Sequence, residues 1–314
     1  MKNNNPKGII LILIGMFIVS FMDATFKYIN TSVNLYEAYF VRTLISFGVI
    51  ASYLKITNKP IIFTTHYPLL TSVRVILFFF GFSSFYISLT IMPLATATAL
   101  FFASPFLITI FAIFFLKEEV GMRRWSAVIF GFIGVYIILN PDFNDFDYLS
   151  LTPVLCAVCY ALSMIIIKKT SDKDDVYSQM FHFYIFAITI SLIIYFFMGD
   201  GQYNNFDHPA SQFILRKWFT NLEFSLPYMI FIGVIGATGF LCFFTAYRIA
   251  SPAVVSPFEY SILAWASLNG WIFFDEIPNQ RTIVGMILIV CGSIYIFIRE
   301  KAQDQSLATE KPLR

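Results

Sequence analysis

Apolar residues fall in blocks long enough to be helices across a bilayer, each closed by a short polar interruption. At 1.5 Å rise per residue, roughly 17–25 residues cross the ~30 Å hydrocarbon core. Ten blocks meet that length, at residues 8–29, 36–54, 69–91, 93–116, 124–140, 150–168, 179–198, 226–248, 252–274 and 281–298. They predict an all-α integral membrane protein. The first block follows Lys2 and Lys7 as a signal peptide would, yet it runs through Asp23 and Lys27 with no small-residue cleavage site, so it reads as an uncleaved span.

One interruption occurs twice. A shift of 158 residues carries Glu118 onto Glu276, Arg123 onto Arg281 and Gly134 onto Gly292, so the chain reads as a tandem duplication. Its expected units are 8–140 and 150–298, five spans each, followed by a polar cytoplasmic tail at 299–314. Five spans separate the matching hinges, and because five is odd the two copies face opposite sides of the membrane as inverted repeats.

Composition agrees with the block pattern. The chain of 314 residues is 58% hydrophobic and 13% charged, with a mean hydropathy of +0.73, against about 25% charged residues in soluble domains. A net charge of +2 gives no reason to expect a nucleic-acid partner. Loop charge sets the orientation. With the N-terminus in the cytoplasm, the inner segments hold Lys2, Lys7, Lys55, Lys59, Lys117, Arg123, Arg124, Lys168, Lys169, Lys173, Arg248, Arg299, Lys301, Lys311 and Arg314, and the outer ones only Arg216, Lys217 and Arg281. That asymmetry places both termini inside. The loop 140–149 is acidic and external. In 199–225, Phe213, Trp218, Phe219 and Leu222 outline either an interfacial helix or an ordinary loop.

Several strings carry a resemblance. Pro93-Leu94-Ala95-Thr96-Ala97-Thr98-Ala99 opens the fourth span, Ser104-Pro105 lies within it, and the Glu118 and Glu276 hinges are followed by Gly134 and Gly292. The chain thereby resembles the drug/metabolite transporter superfamily, in its ten-helix form with two EamA-type repeats. Arg74 leading into FYISLTIMPLATATALFFASP, and Pro257-Phe258-Glu259-Tyr260 followed by Trp265, are similar to carriers described for riboflavin or S-adenosylmethionine. The resemblance implies a multi-pass carrier of a small-molecule solute, in a bacterial inner membrane, with no cofactor and a homodimer as an admissible assembly.

Charged groups inside spans cost at least ~2.5 kcal/mol each at a helix centre, so each needs a partner or a water-lined cavity. Asp23 and Arg42 reach similar depth in the outer half, and Lys27 lies four residues after Asp23 on one helix face. Asp23 and Lys27 either neutralise each other or, with Arg42, serve a gate or coupling site. Arg74 and Glu259 enter from the cytoplasmic side on opposite repeats. They form a structural lock, or Glu259 and Tyr260 bind a cationic or heteroaromatic solute by charge and stacking. Trp265 and Asn269 line a cavity or pack, and His182 carries a coupling proton or packs at the interface. Cys156 and Cys159 have metal-site spacing but no nearby His or second pair, so no metal is expected. Gly233, Gly236 and Gly239 read as a close helix–helix contact.

A secondary active carrier working by alternating access is the leading reading, because no Walker motif is present to supply nucleotide energy. An amino-acid or metabolite exporter of the same superfamily is the nearest alternative. From other classes stand a channel and a lipid-modifying membrane enzyme. The enzyme would need a catalytic cluster, whereas His66, His182 and His208 lie on separate segments.

Overall fold

The computed structural model describes residues 5–116, 129, 132–138, 148–170, 173–249, 256–288 and 290–291. The Glu118–Arg124 hinge, loop 140–147, the start of the ninth block, Gly292 and the tail 299–314 lie outside them. Among the described residues ten α-helices have both ends delimited, and there is no strand. They are α1 (Asn5–Ile29), α2 (Leu35–Ile56), α3 (Pro68–Ser88), α4 (Leu94–Phe101), α5 (Ser104–Leu116), α6 (Thr152–Thr170), α7 (Val176–Met198), α8 (Pro209–Leu215), α9 (Leu222–Ile249) and α10 (Ser261–Phe274). Helical residues also occur at 132–138 and 280–288, and 3-10 turns at Tyr148–Leu151 and Ser256–Tyr260. Among the described residues six helices are long and apolar enough to cross a membrane, those at Pro6–Ile29, Leu35–Ile56, Pro68–Ser88, Tyr148–Ile167, Val176–Met198 and Leu222–Phe243.

The fourth expected span, 93–116, is two helices. Pro105 has no N–H to give the Phe101 carbonyl, and the chain tightens: Phe102 N–H is shared between Thr98 and Ala99, and Ala103 N–H returns to Leu100 at 3.1 Å. In the ninth block the corresponding place is the 3-10 turn Ser256–Tyr260, which precedes α10. The two places meet. Phe102 and Tyr260, related by the 158-residue shift, lie with ring centroids 4.8 Å apart.

The duplication is also visible in helix caps. Asn34 opens α2 by accepting from Tyr36 N–H, and Asp175 opens α7 by accepting from Tyr177 N–H. These caps are 141 residues apart, and the same offset carries Ile29, the end of α1, onto Thr170, the end of α6.

In space, however, the repeats interleave. Helix α1 packs on α9 and α10, and α2 packs on α9; in equivalent fashion α6 packs on α3 and α4, and α7 packs on α3. Two mixed bundles result, one of α1, α2, α9 and α10 and the other of α3, α4, α5 and α6; α7 packs on both α2 and α3, and α4 also meets α10. Glycines allow the closest approaches. A Cβ on Gly233 would stand 2.6 Å from Ile45 Cβ and 2.9 Å from the Arg42 carbonyl, and one on Gly15 would stand 3.3 Å from the Gly239 carbonyl, so Gly233 and Gly239 seat α9 on α2 and α1. The segment 199–225 holds the short helix α8, which ends at Leu215; Phe213 and Trp218 are buried in the protein, while Phe219 and Leu222 are exposed. Asn34 and Arg216 tie this loop to the α1–α2 turn through backbone carbonyls.

Candidate solute site

The buried charges do not pair as their sequence spacing suggests. Lys27 turns from Asp23 to Glu276, with Nζ–Oε1 at 2.6 Å, and also donates to the Met92 carbonyl at 2.9 Å. Glu276 Oε2 in turn accepts from Leu94 N–H at 3.1 Å, where α4 begins. A carboxylate there satisfies an N-terminal donor and complements the helix dipole. One Lys–Glu pair thus joins the end of α1, the end of α10 and the start of α4, across the two bundles. Glu276 stood out in sequence as a marker of the duplication, and nothing there pointed to Lys27.

Asp23 finds Tyr86 of α3, whose hydroxyl donates to Oδ1 at 3.3 Å. The same hydroxyl accepts from Arg42 Nη1, also at 3.3 Å. The guanidinium lies over the rings of Tyr39 (4.8 Å) and Phe26 (5.4 Å) and touches Met22 Sδ at 3.7 Å. All these side chains are buried. Asp23, Tyr39 and Arg42 come from one bundle and Tyr86 from the other, so the cluster spans the bundle junction. Sequence reasoning missed the tyrosines, because a phenol costs too little in a membrane to stand out among 17.

Arg74 points to α7, donating from Nη2 to the Gln179 carbonyl at 2.9 Å and lying within electrostatic reach of Asp174. Arg74, Phe78, Gln179, Met180, Phe183, Tyr184 and Phe240 line a cleft of about 20 Å³, room for a single water. Glu259, in the 3-10 turn, is buried close enough to Tyr160 of α6 for their charges to interact. Tyr260 is buried against Phe102 in the central apolar cluster. Asn269 donates to Ser20 Oγ at 3.1 Å, and Trp265 packs edge-on against Phe17 at 4.9 Å. His182 is half-buried with Nδ1 2.6 Å from the Ser178 carbonyl of its own helix. Among the described residues no cluster of three His, Cys, Asp or Glu could hold a metal.

A second polar group lies beyond the spans. Asp174 accepts from Thr65 Oγ1 (2.5 Å) and His66 N–H (2.9 Å), and lies 3.3 Å from His66 Nδ1. Burial opposes its ionisation, but these hydrogen bonds outweigh burial and hold its pKa below the ordinary value.

Comparison with known proteins identifies the family. The EamA-like transporter family model matches residues 6–140 and 149–298. The S-adenosylmethionine uptake transporter of Rickettsia prowazekii is 29% identical over 95% of this chain and 95% of its own. A riboflavin transporter of Rhizobium johnstonii is 30% identical over 78% of this chain and 75% of its own. The pseudopaline exporter of Pseudomonas aeruginosa is 24% identical over 91% and 94% respectively. A protein known from a crystal structure shares the fold at a TM-score of 0.63 and 15% identity, over 93% of this chain and 98% of its own. The chain belongs to the EamA-like transporter family, and it is a multi-pass inner-membrane transporter rather than an enzyme.

Proposed function

We propose that the protein is a secondary active carrier that moves a small organic solute across the inner membrane by alternating access. Its ten spans form two inverted repeats with both termini in the cytoplasm. The moving bodies are the two mixed bundles rather than the two sequence repeats. The observation that carries this reading is the burial of polar groups between elements of both repeats: Asp23 and Arg42 against Tyr86, and Glu259, in the 3-10 turn before α10, near Tyr160. Broken helices and polar groups at a repeat interface suit a solute site near the midplane.

On this reading Glu259, Tyr260 and Arg74 contact the solute, with Trp265 and Asn269 at the edge of the path. Lys27 and Glu276 close one end, Asp23 and Arg42 act beside the site, and His182 serves coupling. A solute that is heteroaromatic or cationic, similar to those of the riboflavin and S-adenosylmethionine carriers, fits a carboxylate among aromatic rings. Counterflow of labelled S-adenosylmethionine and riboflavin in proteoliposomes tests it. Saturable exchange of either solute, reduced at least ~10-fold in Glu259→Gln, is the expected result. Unsaturable flux, or normal uptake and affinity in Glu259→Gln, counts against it.

A further inference from the structure

We infer that the Arg42 cluster is a binding site for an α-amino-carboxylate headgroup, with Arg42, Tyr39 and Tyr184 receiving the carboxylate and Asp23 the ammonium. The inference rests on the carrier reading above and assigns a solute chemistry to it.

The first observation is the unused capacity of Arg42. Among the described residues only Nη1 finds partners, Tyr86 and Met22, and no carboxylate lies within 4.0 Å of the guanidinium. The Nε–Nη2 edge, one of the two that can grip a carboxylate through parallel hydrogen bonds, is left unused. The rings of Tyr39 and Phe26 hold the guanidinium plane without using its donors. A purely structural arginine buried this deeply would be expected to use its remaining N–H groups on carbonyls or a carboxylate.

The second observation is independent of the first. The hydroxyls of Tyr39 and Tyr184 are buried and make no hydrogen bond to the protein. Tyr39 faces Ser83 and Tyr184 faces Ser46, but neither pair reaches hydrogen-bond geometry. Both phenols lie within electrostatic reach of Arg42. Two phenol donors and a guanidinium edge make an anion site, and a carboxylate has the acceptors to satisfy them. Tyr184 also lines the small cleft at Arg74.

Asp23 fixes the other half of the headgroup. It shares the Tyr86 hydroxyl with Arg42 at 3.3 Å from each, which sets an acceptor beside the donors at close range. A solute bringing ammonium to Asp23 and carboxylate to Arg42 neutralises both buried charges at once. A bare carboxylate would leave Asp23 facing a like charge, and an amine alone would leave Arg42 unmatched.

The test uses purified full-length protein, with ligand binding read as thermal stabilisation and transport read as proteoliposome uptake. The probes are S-adenosylmethionine, its decarboxylated analogue, riboflavin and the common L-amino acids. S-adenosylmethionine or an amino acid should stabilise the protein, and for S-adenosylmethionine, loss of the carboxylate should weaken binding about 100-fold. Tyr39→Phe and Tyr184→Phe delete only unpartnered hydroxyls, so both variants should fold with unchanged or higher Tm. Each should still lose about tenfold in affinity for the carboxylate probe. Equal binding of the decarboxylated analogue, unchanged affinity in both Phe variants, or stabilisation by riboflavin with none by any α-amino-carboxylate overturns the headgroup assignment and leaves the carrier intact. Headgroup-dependent binding without uptake overturns the carrier and leaves the headgroup site.

Discussion

Asp174 shows how much one side chain contributes when its donors come from a distant loop. Its folded-state pKa lies below the unfolded value, so its stabilisation is full at neutral pH and is lost as pH falls through that lowered value. Replacing it with Asn should lower stability by about 1–3 kcal/mol at pH 7, because hydrogen bonds to a charged acceptor are lost. The difference from wild type should shrink below about pH 4, where the native carboxyl also protonates. Thermal unfolding of both proteins across that range decides it, and a difference independent of pH would assign the effect to packing. At this scale the sequence was half legible. Asp23, Arg42, Arg74 and Glu259 stood out because a charge in hydrocarbon needs a reason, whereas Tyr39, Tyr86 and Tyr184 did not, being ordinary members of apolar runs. The proximity of Asp23 and Lys27 along one helix misled, because a neighbour four residues away competes with any partner that tertiary packing brings closer.

Helix limits were more readable than helix continuity. The runs at 8–29, 36–54 and 179–198 end within a few residues of α1, α2 and α7, since length and hydropathy alone determine a span. The division of 93–116 into α4 and α5 depends on Pro105 acting with a local turn, a feature that block reading averages away. Contact between elements gives a sharper expectation at two glycines. Gly233→Ala drives a Cβ into Ile45 and the Arg42 carbonyl, while a Cβ at Gly48 meets nothing within 4 Å. The first substitution should destabilise by about 1–3 kcal/mol through overpacking, and the second should stabilise by up to about 1 kcal/mol through helix propensity. Tm measurements in detergent that ranked the two variants the other way would refute the seating of α9 on α2.

For the molecule as a whole, sequence revealed the duplication but not its interleaving, because an offset says which residues correspond and not which ones touch. Loop contacts nevertheless place the polar ends in two sets. Asp174 meets Thr65 and His66 on one side, and Asn34 meets Arg216 on the other. Single cysteines at Asn58, Lys173 and Gln202, all exposed, test the orientation in a cysteine-free background. In intact cells an impermeant maleimide should label position 202 and spare 58 and 173. Labelling of 58 together with 202 would end the inverted arrangement.

The touching rings of Phe102 and Tyr260 bear on the direction of transport. On the inverted-repeat, alternating-access proposal, residues matched by the duplication and meeting each other lie on a pseudo-twofold axis, and such a contact maps onto itself when the inward and outward states exchange. It stabilises both states alike and so gives the cycle no preferred sense. Any built-in preference has to come from places where the copies have diverged. The 141-residue offset sets Phe183 against Arg42 and Met164 against Asp23. One copy therefore keeps a charged pair where the other has a ring and a thioether, and on the carrier proposal that mismatch biases which state rests lower, while the solute gradient sets the direction of net flux.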